Sequence, residues 1–268
     1  MDKKTKILFI ATASFLFFIL FGDFFISTSA YELNKDAILL PPSFEYFFGT
    51  DRLGRDVFAR VIEGGKTSLL IGVGSGLIGS FIGLIIGTSA GYFKGKADKS
   101  IVTAIDLFLT FPTFFLLLAL VSYVEASSIV LIIVISITGW MSTARMIRSE
   151  AFGIASKPFI KILKLGSVPS GKIIFKYYTP LIAPIFLISF TFGVSGAILA
   201  ESGLSFLGLG IVPPQMSWGS MLAEGKEVMD IAWWISFFPG ACIFIISFLL
   251  IQISDFFQTV FNKKEKTA

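Results

Sequence analysis

Histidine is absent from this 268-residue chain, and cysteine occurs once, as Cys242 inside an apolar run. The first absence removes the commonest general base and the commonest transition-metal ligand together. The second leaves no intramolecular disulfide to form, so cysteine usage is silent on redox compartment. Charge is scarce as well: 15% of residues are Asp, Glu, Lys or Arg, against about a quarter in soluble domains. No Gly-rich loop ends in Lys-Ser or Lys-Thr, and no His-Glu-x-x-His occurs, so neither a phosphate cradle nor a zinc-peptidase helix is encoded. Any energy from ATP has to come from another chain. An intramembrane enzyme would need a nucleophile beside a base, or a metal cluster. Cys242 has no histidine to pair with, and the acids are scattered.

Hydrophobic residues make up 54% of the chain, and the mean hydropathy is +0.84. They fall into six blocks, at about 7–27, 68–92, 101–123, 127–147, 179–200 and 233–260. A hydrocarbon core about 30 Å thick needs roughly 20 apolar residues per helix. Helices pair every backbone group internally, and no alternating pattern suggests a barrel. The reading is an all-α integral membrane protein with six transmembrane helices.

Basic residues set the orientation. With the N-terminus inside, sixteen of the 22 Lys and Arg fall in cytoplasmic stretches, among them Lys3, Lys94, Arg145, Arg148, Lys161, Lys176, Lys263, Lys264 and Lys266. The other six are Lys35, Arg52, Arg55, Arg60, Lys66 and Lys226, and the acids Glu201, Glu224, Glu227 and Asp230 gather on that outer side. Both termini are therefore expected in the cytoplasm. A rival reading makes the first block a signal peptide cut at Thr28-Ser29-Ala30. Cleavage would leave the orientation of the other five unchanged.

Two stretches outside the bilayer are large. Residues 28–67 lie outside, and residues 148–178 lie inside, where Gly153, Pro158, Gly166, Pro169 and Gly171 limit helices to short pieces. Pro158 suits the first turn of one such helix, running to about Leu165 and ended by Gly166. Phe159, Ile162 and Leu163 beside Lys161 and Lys164 make it amphipathic. It presses either on a partner or on lipid headgroups.

In the second block Gly79, Gly83, Gly87 and Gly91 recur every four residues, after Gly72 and Gly76. That spacing marks a face for close helix packing, with a sliding surface as the alternative. Asp106 lies about seven residues into the third block, roughly 10 Å deep at 1.5 Å per residue. An acid at that depth either lines a polar pathway or meets a partner on a neighbouring helix.

Several of these stretches also carry a family likeness. Residues 48–74 open Phe-Gly-Thr-Asp-Arg-Leu-Gly-Arg-Asp; Gly91-Tyr92-Phe93 and Asp106-Leu107-Phe108-Leu109-Thr110-Phe111-Pro112 surround the third block. Glu201-Ser202-Gly203-Leu204-Ser205-Phe206-Leu207-Gly208-Leu209-Gly210 leads through Pro213-Pro214 to Ser217-Trp218-Gly219-Ser220-Met221-Leu222, and Trp233-Trp234 with Phe238-Pro239-Gly240 closes the set. Over about residues 40–260 the chain resembles the permease subunits of the dipeptide, oligopeptide and nickel ABC importers, of the second permease type.

The resemblance implies a division into an N-terminal helix and outer segment (1–67), a permease core (68–260) and a cytoplasmic tail (261–268). It also implies a coupling helix between the fourth and fifth spans, held by Pro158, Phe159, Ile160, Lys161, Ile162, Leu163 and Gly166, that docks on an ATPase. The family's Glu-Ala-Ala would fall on Ile160, Lys161 and Ile162, so the glycine is kept and the acid is not. Implied partners are a second homologous permease, two ATPase subunits carrying ATP and Mg, an extracytoplasmic solute-binding protein and the bilayer of the cytoplasmic membrane. No cofactor and no metal site are expected on this chain, and no nucleic acid. Peptides are the expected solute, with nickel or a metal chelate as the alternative. A stand-alone secondary transporter would need internal repeats that the halves do not show.

Overall fold

The computed structural model describes residues 3–26 and 28–267, and the side chains of all of these except 97 and 262–267. The basic tail residues Lys263, Lys264 and Lys266 lie outside the described side chains. Among the described residues there are ten α-helices: α1 (Lys3–Phe21), α2 (Val57–Phe93), α3 (Gly95–Leu109), α4 (Thr113–Val121), α5 (Ser128–Ser156), α6 (Pro158–Leu165), α7 (Ser170–Ile173), α8 (Thr179–Phe206), α9 (Trp218–Lys226) and α10 (Trp234–Thr267). Among the described residues five helical stretches are long and apolar enough to cross a membrane: Lys3–Phe25, Val57–Phe93, Ser128–Ser156, Ser170–Phe206 and Trp234–Phe261.

The third block departs from expectation. It is not one straight span: α3 and α4 meet at a 78° bend, and they make a sixth span only if taken together. Pro112 sits at the break and caps α4. Its ring blocks the preceding turn and it has no N–H to donate, so a helix cannot run straight through it.

The glycine-rich α2 is the central helix and lies against both α5 and α8. Asp56 starts it by accepting from the Phe58 N–H at 2.9 Å, the usual way a carboxylate satisfies a free amide at a helix start. At about 1.5 Å per residue its 37 residues span roughly 55 Å, well beyond one hydrocarbon thickness. The glycines serve two seams. Gly83, Gly87 and Gly91 meet Thr143, Ala144 and Ala151 of α5, whereas Gly72 and Gly76 meet Ile198 and Val194 of α8. Close backbone approach is thus their role, and packing accounts for the spacing.

At the chain's beginning α1 joins the same core, with Ile19 buried among Ile62, Trp218 and Ile246. Phe9 packs edge-on against Phe256 near the far end of α10. At the opposite end of the bundle, the Trp234 indole N–H that opens α10 donates to the Thr50 carbonyl. Both described chain ends therefore leave the bundle on one side. That side also carries α6, which packs on Tyr92 at the end of α2 and on Tyr178 just before α8.

Candidate functional site

α6 is short, and one face attaches it to the bundle. Pro158 occupies the first helical position, where its missing N–H is no loss. Ile160 is 0% exposed and packs with Ile147, Ile154, Ile173 and Ile182. Leu163 turns inward to the same cluster. The Lys164 ammonium lies 4.0 Å from the Tyr92 ring centre and donates to the Tyr92 carbonyl at 3.3 Å. That carbonyl sits in the last turn of α2, where unpaired carbonyls favour a cation. Lys161 remains exposed.

α6 ends at Leu165 with Gly166 as its C-cap, as expected, but the left-handed turn falls one residue later. Gly166 has an ordinary negative φ, and the left-handed residue is Ser167, at φ 56°. Ser167 donates to the Lys164 carbonyl, and Val168 donates to the Leu163 carbonyl at 3.1 Å. This is the paired closure of a helix end, with Val168 and Leu163 sharing one apolar cluster. The outward face also differs by one residue. Phe159, part-exposed beside the Tyr177 ring, and Ile162 lie on the exposed face, but the third exposed apolar residue is Leu165, not Leu163. Ile162 is 67% exposed and Leu165 85%. Spacing of three along the helix would have found Leu165.

Asp106 meets a partner. Arg145 of α5 donates to its carboxylate at 2.5 Å, and both side chains are more than half exposed. One helical turn further along α5, Arg148 donates to Asp98 at 2.8 Å. Two ion pairs thus tie α3 to α5 on the α6 side of the bundle.

The opposite end is held by a polar cluster that explains two of the quoted motifs. Asp51 accepts from the Leu53 and Arg55 amides at 2.8 and 3.0 Å, from the Arg55 Nε at 2.6 Å, and from Arg60. Arg60, 1% exposed, makes a bidentate pair with Glu224 of α9 at 2.7 and 3.0 Å. Gly49 and Gly54, both at φ 72°, allow the tight loop around this pair. The Gly-Thr-Asp stretch is therefore a clasp between the 28–56 segment, α2 and α9.

Glu201 is not a surface acid of the outer side, as its charge alone suggested. It is fully buried. Ser205 donates to it at 2.7 Å and Ser68 of α2 at 3.3 Å. Those same hydroxyls accept from the Ile211 and Trp218 amides at 3.2 and 3.1 Å. With their lone pairs engaged by backbone donors, the two serine protons are directed at the carboxylate. The Glu-Ser-Gly-Leu-Ser stretch thereby pins the 207–217 loop and α9 to α2.

Between α2, α4, α5 and α8 lies a cavity of about 420 Å³. Its walls are mainly apolar, with the hydroxyls of Ser75, Ser80, Thr138, Ser142, Thr143 and Ser189 among them. Among the described residues no charged side chain lines it. Nor does any group of three or more His, Cys, Asp or Glu among them stand close enough to hold a metal ion.

Solved structures with this fold include inward-facing forms of the MetNI methionine ABC transporter. One has a TM-score of 0.60 at 14% identity and covers 75% of this chain and 97% of that one. A second has a TM-score of 0.61 at 15% identity, over 74% and 95%. The shared fold is a mostly helical, multi-spanning membrane-type bundle. Residues 79–267 match the model of the family described as binding-protein-dependent transport system inner membrane component. The oligopeptide transport system permease protein OppC of Mycobacterium tuberculosis is 34% identical over 217 residues, covering 80% of this chain and 75% of that protein. OppC of Haemophilus influenzae is 30% identical over 267 residues, covering 99% and 86%. The chain belongs to this family of ABC-importer permeases: it is a transport subunit and not an enzyme, and ATP is hydrolysed on separate ATPase subunits.

Proposed function

We propose that the chain is one of two membrane-spanning permeases of a peptide importer and works by alternating access in the cytoplasmic membrane. In this reading α3 and α4 together form the sixth span, both termini are cytoplasmic, and α6 is the coupling helix. Residues 1–67, 68–260 and 261–268 are then the N-terminal helix with its outer segment, the permease core and the cytoplasmic tail. The partners are a second permease, two ATPase subunits that hold ATP and Mg, and an external solute-binding protein.

The observation that carries this reading is the two-sided nature of α6. Ile160 and Leu163 fasten it to α2, α5 and α8, while Phe159, Ile162 and Leu165 face outward. An amphipathic helix held this way presents apolar anchors that fit a groove on a partner, and its fixed base lets it move the spans as one body. Pro158, Lys161 and Gly166 frame the same element. The chain ends on the α6 side support a common cytoplasmic face, because that side also carries the larger share of Lys and Arg. Asp106, paired with Arg145, then belongs to the inner end of the pathway wall.

Peptide is preferred over a nickel chelate because the OppC relatives, at 30–34% identity, are named for oligopeptide transport. The test is purification in mild detergent with neighbouring chains intact, followed by reconstitution with the binding protein. The expected result is a complex of two permeases and two ATPases that takes up a short peptide only with ATP. Uptake of a nickel chelate without peptide uptake would replace the solute, and nucleotide-independent transport by a homomer would sink the reading.

A further inference from the structure

α1 and α10 pack side by side toward the end of the bundle from which both described chain ends leave, but they do not close on each other there. Phe9 meets Phe256 and Phe257 at 5.6 and 6.5 Å between ring centres, and rings of that bulk prop the two backbones apart. Beside them runs a groove of about 480 Å³. Its walls are graded. Nearer the chain ends they carry Lys4 of α1 with Asp255 and Thr259 of α10, and further in they carry Leu8, Ala11 and Phe248. From Lys4 to Ala11, and from Asp255 back to Phe248, the wall passes from charged to apolar over roughly 10 Å at 1.5 Å per residue. Lys4 and Asp255 both line the groove, yet among the described residues neither is in an ion pair. Thr259 donates to the Asp255 carbonyl at 2.9 Å, which leaves its own oxygen able to accept.

These features select an occupant by chemistry. A surface that turns from charge to hydrocarbon along a span has the profile of a phospholipid, with its headgroup at the interface and its acyl chains in the core. Two opposite, unpaired charges call for a headgroup that carries both signs: a phosphate for the Lys4 ammonium and a hydrogen-donating ammonium for the Asp255 carboxylate. A headgroup that is only anionic would leave Asp255 facing like charge, and a trimethylated ammonium has no N–H to donate to it. An apolar helix laid in the groove would strand both charges. We propose that the groove between α1 and α10 binds one phospholipid with a primary-ammonium headgroup, phosphatidylethanolamine, which braces α1 against α10. On the importer reading above, from which the side of the membrane is taken, this lipid belongs to the cytoplasmic leaflet.

The test uses the full chain purified in mild detergent with its co-purifying subunits, washed free of lipid. It is offered an equal mixture of phosphatidylethanolamine, phosphatidylcholine and phosphatidylglycerol, and native mass spectrometry reads what is retained. The parent should keep phosphatidylethanolamine about tenfold over either of the others, as one charge-assisted hydrogen bond allows. Asp255→Asn should bring it down to the level of phosphatidylcholine, because the carboxylate is what separates the two. Lys4→Gln removes the phosphate partner and should lower all three. Ala11→Trp, which fills the apolar half at an exposed position and leaves the charges alone, should do the same. If the Trp variant does not assemble, Asp255→Asn decides. Equal retention of the three lipids by the parent, or a preference that survives Asp255→Asn, overturns the site. A neighbouring chain that cross-links to Ala11→Cys where the lipid should lie overturns it as well. Retention is read without peptide or ATP, so its failure leaves the importer reading standing. A complex that takes up no peptide sinks that reading while the lipid preference stays measurable.

Discussion

Arg60 is a guanidinium removed from solvent, and Asp51, also buried, is the acceptor placed deepest beside it. Glu224 supplies the second carboxylate but is itself about one-third exposed. Removing one partner of a buried ion pair leaves an uncompensated charge, at a cost of about 3–5 kcal/mol. Asp51→Ala is therefore expected to lower the unfolding free energy of the purified protein by about that amount, measured by denaturant titration. Asp51→Ala combined with Arg60→Met should recover part of the loss, because no charge is then stranded. A single variant as stable as the parent would show that Glu224 alone compensates Arg60. Little of this was legible beforehand: the motif around Asp51 was visible, but its use as a clasp depends on α9, more than 160 residues later. Glu201 shows the same blindness, since an acid near the end of an apolar block reads as surface until Ser68 of another helix closes over it.

The central helix and its seams were more readable, because glycine at every fourth position has one physical consequence wherever it falls in a helix. What spacing could not show is how closely each glycine is approached. A Cβ at Gly87 would stand 2.6 Å from the Ala144 carbonyl oxygen, whereas one at Gly79 would keep 3.6 Å from its nearest neighbour. The two substitutions should have opposite signs. Gly87→Ala forces α2 from α5 and should destabilise by about 1–3 kcal/mol. Gly79→Ala gains helix propensity in ordinary contact and should stabilise by up to about 1 kcal/mol. Equal shifts in the unfolding midpoint for both would refute close packing as the reason for the stripe. The α3–α4 break was hidden for a related cause: Pro112 sat in plain view, but an unbroken apolar composition on either side read as one span, and a bend of 78° depends on what the two halves pack against. The short helix at 158–165 was placed correctly because Pro158 constrains its start locally. Its outward face was not, because whether Leu163 or Leu165 turns inward is decided by α2, α5 and α8.

For the molecule as a whole, α6 has to do two separable things if it couples ATP hydrolysis to the spans: stay attached to the bundle and grip a partner. Ile160 serves the first, being fully buried in the cluster that joins α2, α5 and α8. Ile162, two residues on and mostly exposed, touches little of this chain and serves the second. Ile160→Ala should lower the stability of the isolated permease by about 2–5 kcal/mol, the cost of a cavity in a packed core. Ile162→Glu should leave that stability within about 0.5 kcal/mol, as surface changes do, yet weaken ATPase association at least tenfold by placing a carboxylate in an apolar contact. Lys164→Met should fall between them, since it loses the Tyr92 carbonyl and loosens the base of α6 without altering its outward face. The pair of measurements, stability of the permease alone and ATPase capture, separates a lever from a helix lying on lipid. On a lipid surface Ile162→Glu would leave ATPase capture untouched, and the outward apolar row would have to be read as a membrane contact.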